Sequence, residues 1–432
     1  MPDPMIFDCW AAYGPQPGLD PDERWTLDHL REDLDFYGLA AALVRHRQGY
    51  WYEPMHVNRR LCDELADYRD RLVPCWTVAP HQCGDFPPPH ELARAMDGEG
   101  VRAVCLYPQQ QGIPVHADVL APLAELLNAR HALILVPFAE LGGRYEPAVA
   151  FCRMFSGCPV ILTEASWSEW RMITAVLDAC PNAAMEFHRF QGNRAVEWMA
   201  ERYGIGRMFF GSGLLACSAG AARGFIDFPL LDDQALARFA GGNLRAALGA
   251  GPTAPPPVPE DADPLIRAAR SAKPLGVSIL DAHCHVLDDG LNGAGCRYVM
   301  PQGDLPHMLE LARRMGVSLT AMMSWAAPIG NDIPAGNALI ARCVAAAPEE
   351  VIGLSSCDPV TQSPDAIRAM CQELHVGRGF RGLKPYYRNG LSYADPRYAP
   401  WWEFAEAHRL YGLLHPHPDS GCSAVTRLDA GA

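Results

Sequence analysis

Two histidines separated by one residue carry the clearest chemistry in this sequence. His283 and His285 follow the apolar run 277–280 and Asp281. Side chains two positions apart in a β-strand point to the same face, so both imidazoles would project together. Neutral imidazole is a common ligand of divalent metals. The spacing therefore predicts half of a metal site; the competing interpretation is a pair of partly exposed histidines at a strand end.

A third histidine follows an apolar pair much further along the chain. Leu413 and Leu414 precede His415, and residues 398–408 before them have helical spacing. This order predicts that His415 lies at the end of a strand that follows a helix. His417 is the alternative ligand if the register is shifted.

Together these motifs resemble the amidohydrolase-related family of metal-dependent (β/α) barrels. Residues 281–285 resemble the strand-one motif of that family, residues 379–385 its strand-four segment, and His415 its strand-five ligand. The resemblance implies that His283, His285 and His415 bind one divalent ion, with zinc as the expected metal. It also implies a hydrolase or decarboxylase that acts on a small carboxylate-bearing substrate.

Two cations are candidates for substrate binding in the same half of the chain. Lys384 lies at the end of the strand-four segment, and Arg388 follows it. Lys384 could bind a substrate carboxylate, carry a bridging carbamate and act in catalysis, or be a solvated charge at the rim. These interpretations stay open at this point.

The first half of the chain resembles the same family but has other residues at the ligand positions. Residues 207–213 resemble the strand-eight segment. Trp10 and Ala12 stand where the histidine pair would be, and Gly213 replaces the strand-eight Asp. Pro137, or Val136 if there is a gap, replaces the strand-five His. These side chains do not bind divalent cations. We therefore expect this copy to hold no metal.

Several polar residues of the first copy nevertheless fall near predicted strand ends. Glu186 and His188 are two apart on the seventh strand and could face one barrel mouth. Three more are Cys9, His81 and Glu164. We favour hydrogen-bonded or rim roles for all five over a metal-independent hydrolytic site.

The strands and helices that must position these residues follow the pattern of one (β/α) barrel and then part of a second one. Strand segments at 5–7, 39–44, 72–78, 101–107, 133–136, 160–162, 183–187 and 207–210 alternate with helical patterns, which predicts parallel pairing. We predict a (β/α)8 TIM-type barrel at 1–250, a Pro-rich linker at 251–275 and a partial second (β/α) barrel at 276–432.

The second segment repeats the order of the first, which predicts a tandem duplication. Residues 6–12 match residues 279–285. The second copy has counterparts of strands one to five but not of the strand-six His or the strand-eight Asp, so we expect it to be a truncated fragment with impaired catalysis. The alternative is a non-catalytic pseudo-enzyme or binding scaffold.

Composition narrows the class of partner. The formal net charge is -14, and no basic stripe is present, which argues against nucleic acid. The sequence has neither a signal-peptide pattern nor a long apolar run. We expect a cytoplasmic protein with a small-molecule substrate and no membrane partner; a homo-oligomer is left open.

Overall fold

The computed structural model describes residues 5–18, 22–249, 251–252, 264, 267–268, 275–288, 299–386 and 389–414. The chain divides into two compact units, Met1–Lys273 and Pro274–Ala432. Most of the predicted linker at 251–275 lies outside the described residues. Within the described ranges, no helix combines the length and apolar character needed to cross a membrane.

The first unit is a sheet of eight parallel strands in chain order. The strands are β1 (Phe7–Tyr13), β2 (Ala41–His46), β3 (Leu72–Thr77), β4 (Ala103–Cys105), β5 (Leu133–Pro137), β6 (Val160–Thr163), β7 (Ala183–Glu186) and β8 (Met208–Phe209). They are apolar along most of their length and almost wholly buried. This is the pattern of parallel strands that helices cover on the outside and side chains fill on the inside.

Helices follow the strands, as a (β/α) unit requires. They are α1 (Leu27–Tyr37), α2 (Gln48–Trp51), α3 (Pro54–Glu64), α4 (Pro89–Glu99), α5 (Ala117–Ala129), α6 (Tyr145–Met154), α7 (Trp170–Ala179), α8 (Ala195–Tyr203), α9 (Ala219–Asp227), α10 (Asp233–Ala237) and α11 (Asn243–Leu248). Their ends have local causes. Helix α1 begins at a capping box from Thr26 and ends at Gly38, whose positive φ suits a helix terminus.

Backbone hydrogen bonds between β1 and the segment after β8 close the barrel. The Cys9 N–H donates to the Phe210 carbonyl over 2.9 Å, and the Gly213 N–H donates to the Trp10 carbonyl over 3.1 Å. The buried Asp8 carboxylate reinforces this seam, because it accepts the Ser212 backbone N–H at 2.9 Å and the Ser212 hydroxyl. The predicted TIM-type barrel is confirmed.

The first strand differs from its predicted extent, which was residues 5–7. It begins at Phe7 and continues through Asp8 to Tyr13. A buried acid usually argues against a strand interior, but Asp8 is fully paired at the seam. The polar residue therefore lies inside the strand and does not end it.

The second unit contains a parallel sheet of five strands in the order β13-β12-β11-β10-β9. These are β9 (Ile279–Val286), β10 (Val317–Ser324), β11 (Val351–Ser355), β12 (Gly382–Leu383) and β13 (Tyr411–Gly412). The helices are α12 (Leu305–Arg314), α13 (Ala326–Gly330), α14 (Ile333–Ala346), α15 (Pro364–Cys371) and α16 (Ala399–Ala407). The predicted partial (β/α) barrel is confirmed as a fold.

The two faces of this sheet have different partners. Cys284, Val286 and Met322 pack with Leu309 of α12 and Ile340 of α14, so this face is covered by helices. A smaller cluster of Ala321, Met323 and Leu354 lies on the opposite face. In an eight-stranded barrel that opposite face is the interior. We call it the inner face of the second unit.

Candidate metal and active sites

His283 and His285 lie on β9, next to a shift in strand register that has a counterpart in β1. The register between β9 and β10 shifts between Asp281 and Cys284, and the register between β1 and β2 shifts between Asp8 and Ala11. In both strands an aspartate carboxylate accepts a hydrogen bond from the backbone N–H of the second residue after it. The His283 N–H donates to Asp281 over 2.9 Å, and the Trp10 N–H donates to Asp8 over 2.8 Å. The local backbone therefore agrees with the sequence match of residues 6–12 to 279–285.

The two imidazoles converge on the inner face. Cys284 between them packs toward the helices, so His283 and His285 alternate to the other side. Their Nε2 atoms are 3.3 Å apart. Two ligands at ~2.0–2.1 Å from a tetrahedral ion are separated by about 3.3 Å. The pair thus has the separation that one shared divalent cation requires, and these residues fit such an ion.

One imidazole is fixed more firmly than the other. The His285 ring is half-buried and stacks on Trp325, with centroids 4.2 Å apart and an interplanar angle of 16°. His283 is exposed. A ligand whose ring is packed in one orientation loses little rotamer freedom when it binds. Trp325, directly after β10, was not among the residues predicted to form the site.

The remaining predicted metal ligands belong to a part of the chain that the structure does not describe. His415, its alternative His417 and the substrate candidate Arg388 lie outside the described residues. Among the described residues, no group of three or more His, Cys, Asp or Glu side chains could hold a metal ion. The structure thus brings two of the three predicted ligands together.

The sheet curves so that its last strand approaches its first two. Leu413, directly after β13, packs against the Ala321–Met323–Leu354 cluster on the inner face. Burial, and next the Asp281 carboxylate, raise the pKa of Tyr411 to about 12. Gly382 on β12 leaves room for the ring of its neighbour Tyr411, because a Cβ there would lie 2.6 Å from that ring.

Lys384 is buried and not a solvated rim charge. It follows Leu383, which packs toward the helices, so its side chain alternates to the inner face. Its exposure is 1%, and its Nζ has no hydrogen-bond partner among the described residues. Burial lowers its pKa to about 8. An ammonium group kept in this state fits a site that binds an anion from outside the chain.

We predict that Lys384→Met stabilises the protein at pH 7. The folded-state pKa lies below the unfolded value, so the wild type gains stability as pH rises from about 8 to 10.5. At pH 7 the buried charge is a net cost, on the order of 1–3 kcal/mol. Urea unfolding at pH 7 and pH 10 measures it, with exposed Arg381→Met as the control. A variant less stable than wild type at pH 7 would mean that the ammonium has a stabilising partner.

The mouth of the first barrel holds a cation–aromatic stack where the family has metal ligands. The Arg45 guanidinium lies 3.1 Å from the centroid of the Trp10 ring and donates to the Tyr107 hydroxyl over 2.7 Å. The Trp10 indole N–H donates to Glu164 over 3.0 Å. The chemistry of these side chains does not fit a metal site.

Of the polar residues predicted near strand ends in the first copy, two form a buried pair. The Glu186 carboxylate lies 2.8 Å from His188 Nδ1 and also accepts the His188 backbone N–H. Cys9 is buried in the barrel core, and His81 shares no described contact with the pair. Glu186, His188 and Glu164 each take part in hydrogen bonds at this mouth.

Three residues at this mouth were missed in the sequence. Arg45 and Arg47 stand two apart at the end of β2, the same spacing that singled out His283 and His285. This spacing predicts that both arginine side chains point to one face, as it does for the two histidines. Cys217 lies in the loop after β8, where no local pattern indicates its neighbour His188.

The chain matches no protein-family model. It matches no curated protein either. Among solved structures it is similar to 2,6-dihydroxybenzoate decarboxylase from Rhizobium, at 12% identity and a TM-score of 0.46, over 56% of this chain and 98% of that one. A putative amidohydrolase from Staphylococcus aureus matches at 12% identity and a TM-score of 0.42, over 56% and 99%.

A third structure is a dihydroxybenzoic acid decarboxylase from Polaromonas sp. JS666 with bound manganese and an inhibitor. It matches at 12% identity and a TM-score of 0.44, over 56% of this chain and 96% of that one. By name, these three structures are two decarboxylases and a putative amidohydrolase. At such identities the likeness concerns the fold alone, and the fold is established here by the strand order.

Proposed function

We propose that the second unit binds one divalent cation through His283 and His285, with His415 as the third ligand. We further propose that this site catalyses hydrolysis or decarboxylation of a small carboxylate-bearing substrate. The observation that carries the proposal is the 3.3 Å separation of the two Nε2 atoms on the inner face. Zinc is the expected ion, because imidazole nitrogen suits it well.

The curvature of the sheet supports the third ligand. Strand β13 ends at Gly412 and pairs with β12. Leu413, the next residue, packs against Ala321, Met323 and Leu354 on the inner face. His415 follows shortly afterwards in the sequence. In a (β/α) barrel, residues at the carboxyl ends of strands share one mouth, so strand one and strand five can supply ligands to the same ion.

The assignment of the ion to the second unit and not to the first follows from their correspondence. The shared strand irregularity aligns Trp10 with His283 and Ala12 with His285. It supports the inference that the two units descend from one duplicated barrel, and that the first has replaced its ligands. The same acid-to-backbone hydrogen bond would then hold the strand in shape in both.

The residues of this chain have defined tasks in the proposed reaction. A divalent cation would supply Lewis-acid polarisation of a substrate oxygen. Asp281 fixes the backbone of His283, and Trp325 fixes the ring of His285. Lys384 would pair with the substrate carboxylate, which provides the acceptor that its buried ammonium lacks within the described residues. We assign no catalytic base.

Turnover by the full chain tests this function. After chelator treatment, the protein is supplied with Zn²⁺ or Mn²⁺ and a panel of small aromatic carboxylates, esters and lactones, and release of CO₂ or acid is followed. We expect metal-dependent turnover that Lys384→Met lowers mainly through a higher KM. Metal binding without turnover on any substrate would favour a binding scaffold over an enzyme.

A further inference from the structure

A cavity of 270 Å³ opens at the mouth of the first barrel. Polar and aromatic side chains make up much of its lining, and they include Trp10, Arg45, Arg47, Tyr107, Glu164 and His188. The carboxyl ends of TIM-barrel strands are where such folds place their reactive groups. The function proposed for the second unit does not use these residues.

Two buried arginines in this cavity have donors with no partner among the described residues. Arg45 and Arg47 are each more than nine-tenths buried. The Arg45 Nε and the Arg47 Nη2 make no hydrogen bond in the part of the chain that the structure describes. Arg47 has one distant ion pair, to Glu23 over 3.4 Å. Buried guanidinium N–H groups facing a cavity call for an acceptor, and a carboxylate matches their geometry best.

Beside the arginines, the Glu186–His188 pair orients an imidazole toward a thiol. His188 Nδ1 is engaged by Glu186 at 2.8 Å, which leaves Nε2 for the other side of the ring. The Cys217 thiol lies beside His188, because each of these two groups shifts the pKa of the other. Burial lowers the pKa of His188, but Glu186 and Cys217 outweigh it and raise the pKa to about 10.

The backbone of the loop after β8 sets the position of this thiol. Gly213 has a φ of 74° and packs on the His188 ring, where a Cβ would lie 2.6 Å from Cδ2. The Cys217 N–H then donates to the Gly213 carbonyl over 2.8 Å. A side chain at position 213 would push the ring away, so glycine is required for the imidazole and the thiol to meet.

The charges around Cys217 favour its ionised form. His188 lowers the pKa of the thiol most, and the charge of Arg189 lowers it further. Partial burial and Glu164 act in the opposite direction, and the net result is a lowered pKa. Arg47 also interacts with the thiol through its charge. Exposed, electropositive surroundings of this kind are typical of reactive cysteines.

We propose that Cys217, His188 and Glu186 form a nucleophilic acyl-transfer site whose substrates are esters that carry a free carboxylate. Arg45 and Arg47 would bind the carboxylate. The arrangement has the three parts that such catalysis needs, a nucleophile, a base and a group that orients the base. It requires neither a metal nor a group from the second unit.

The reaction balances with these residues alone. The Cys217 thiolate attacks the ester carbonyl carbon, the C–S bond forms, and the C–O bond to the leaving group breaks. The alcohol leaves with the proton from His188 Nε2. Water then attacks the thioester and returns a proton to His188, and the C–S bond breaks to release the acid and the thiolate. Glu186 holds the ring in one orientation throughout.

Alkylation kinetics of the full chain test the nucleophile and its charge preference. Cys83 is exposed like Cys217 and serves as an internal control in the same molecule. At pH 7 we expect iodoacetamide to modify Cys217 at least ~10-fold faster than Cys83, because an ordinary thiol is only a few per cent ionised there. Iodoacetate should prefer Cys217 still more strongly, and Arg47→Met should lower the iodoacetate rate at Cys217 by a larger factor than the iodoacetamide rate.

Acylation by mono(4-nitrophenyl) adipate tests the catalytic step. We expect a burst of nitrophenol, an adipoyl group on the Cys217 peptide, and loss of both in Cys217→Ala. His188→Gln should slow acylation by roughly 10²–10⁴-fold, the usual range for a general acid–base. The neutral ester 4-nitrophenyl butyrate should react more slowly, and Cys83→Ser should change nothing.

Two results would overturn the proposal. One is equal alkylation rates at Cys217 and Cys83 with both reagents. The other is a mass shift at any residue except Cys217 in the adipate reaction. If the buried Cys75 stays unreactive in His188→Gln, the variant is folded, so a slow Cys217 in that variant reports on the lost imidazole.

Discussion

Replacing His283 with Asn should lower the affinity of the full chain for Zn²⁺ by at least about 100-fold. The two Nε2 atoms lie 3.3 Å apart and fit one ion, and the shorter side chain cannot reach the same point. Even residues that only support metal ligands are worth 10–100-fold in affinity, so a direct ligand should exceed that range. Isothermal titration of the chelator-treated protein measures the change.

His285→Asn should have an effect of similar size, and the double variant should lose little more than either single one, because both residues act on one ion. His408→Asn is the matched control, since His408 is an exposed histidine of the same unit that stacks on Phe404. Unchanged Zn²⁺ affinity in both single variants would remove the basis for a metal site on β9.

The second large effect concerns the seam that closes the first barrel. Asp8→Ala should destabilise β1 and β8 by about 3 kcal/mol or more, because it leaves the Trp10 and Ser212 N–H groups and a buried hydroxyl without their acceptor. Hydrogen exchange of the β1 amides should then be roughly 100-fold faster. Asp281→Ala, the corresponding change in the second unit, should leave β1 unaffected. Unaltered exchange in β1 would mean that Asp8 does not hold the seam.

Asp8 also gives the seam a dependence on pH. Burial raises its pKa from 3.8 to about 6, against the hydrogen bonds from Ser212 and Trp10, which lower it. Because the folded state binds the proton more tightly, this group makes the protein less stable as pH rises from about 4 to 6. Asp8→Asn cannot ionise, so this part of the pH profile, on the order of 1–3 kcal/mol, should disappear.

The fold was predictable because its signals are local. Apolar runs alternate with helical spacing along the whole first unit, and each predicted strand overlaps an observed one. The main error was at β1, where Asp8 was not expected inside a strand. Its partner Ser212 is far away in sequence, so only the closed barrel explains how that carboxylate is satisfied.

Within the sites, only contacts between residues of one strand could be predicted from the sequence. His283 and His285 share one strand, so their convergence follows from the two-residue repeat. The Cys217–His188 contact joins a loop to another strand, and the stack of Arg45 on Trp10 joins β2 to β1. Contacts of this kind depend on how the sheet closes, which no local pattern encodes.

The most direct test of the proposed metal site is a crystal structure of the full chain grown with Zn²⁺ and recorded at the zinc absorption edge. We predict an anomalous peak within about 2.1 Å of Nε2 of both His283 and His285 and of a nitrogen of His415. A zinc ion bound elsewhere, with no peak between the two β9 imidazoles, would contradict the proposed site.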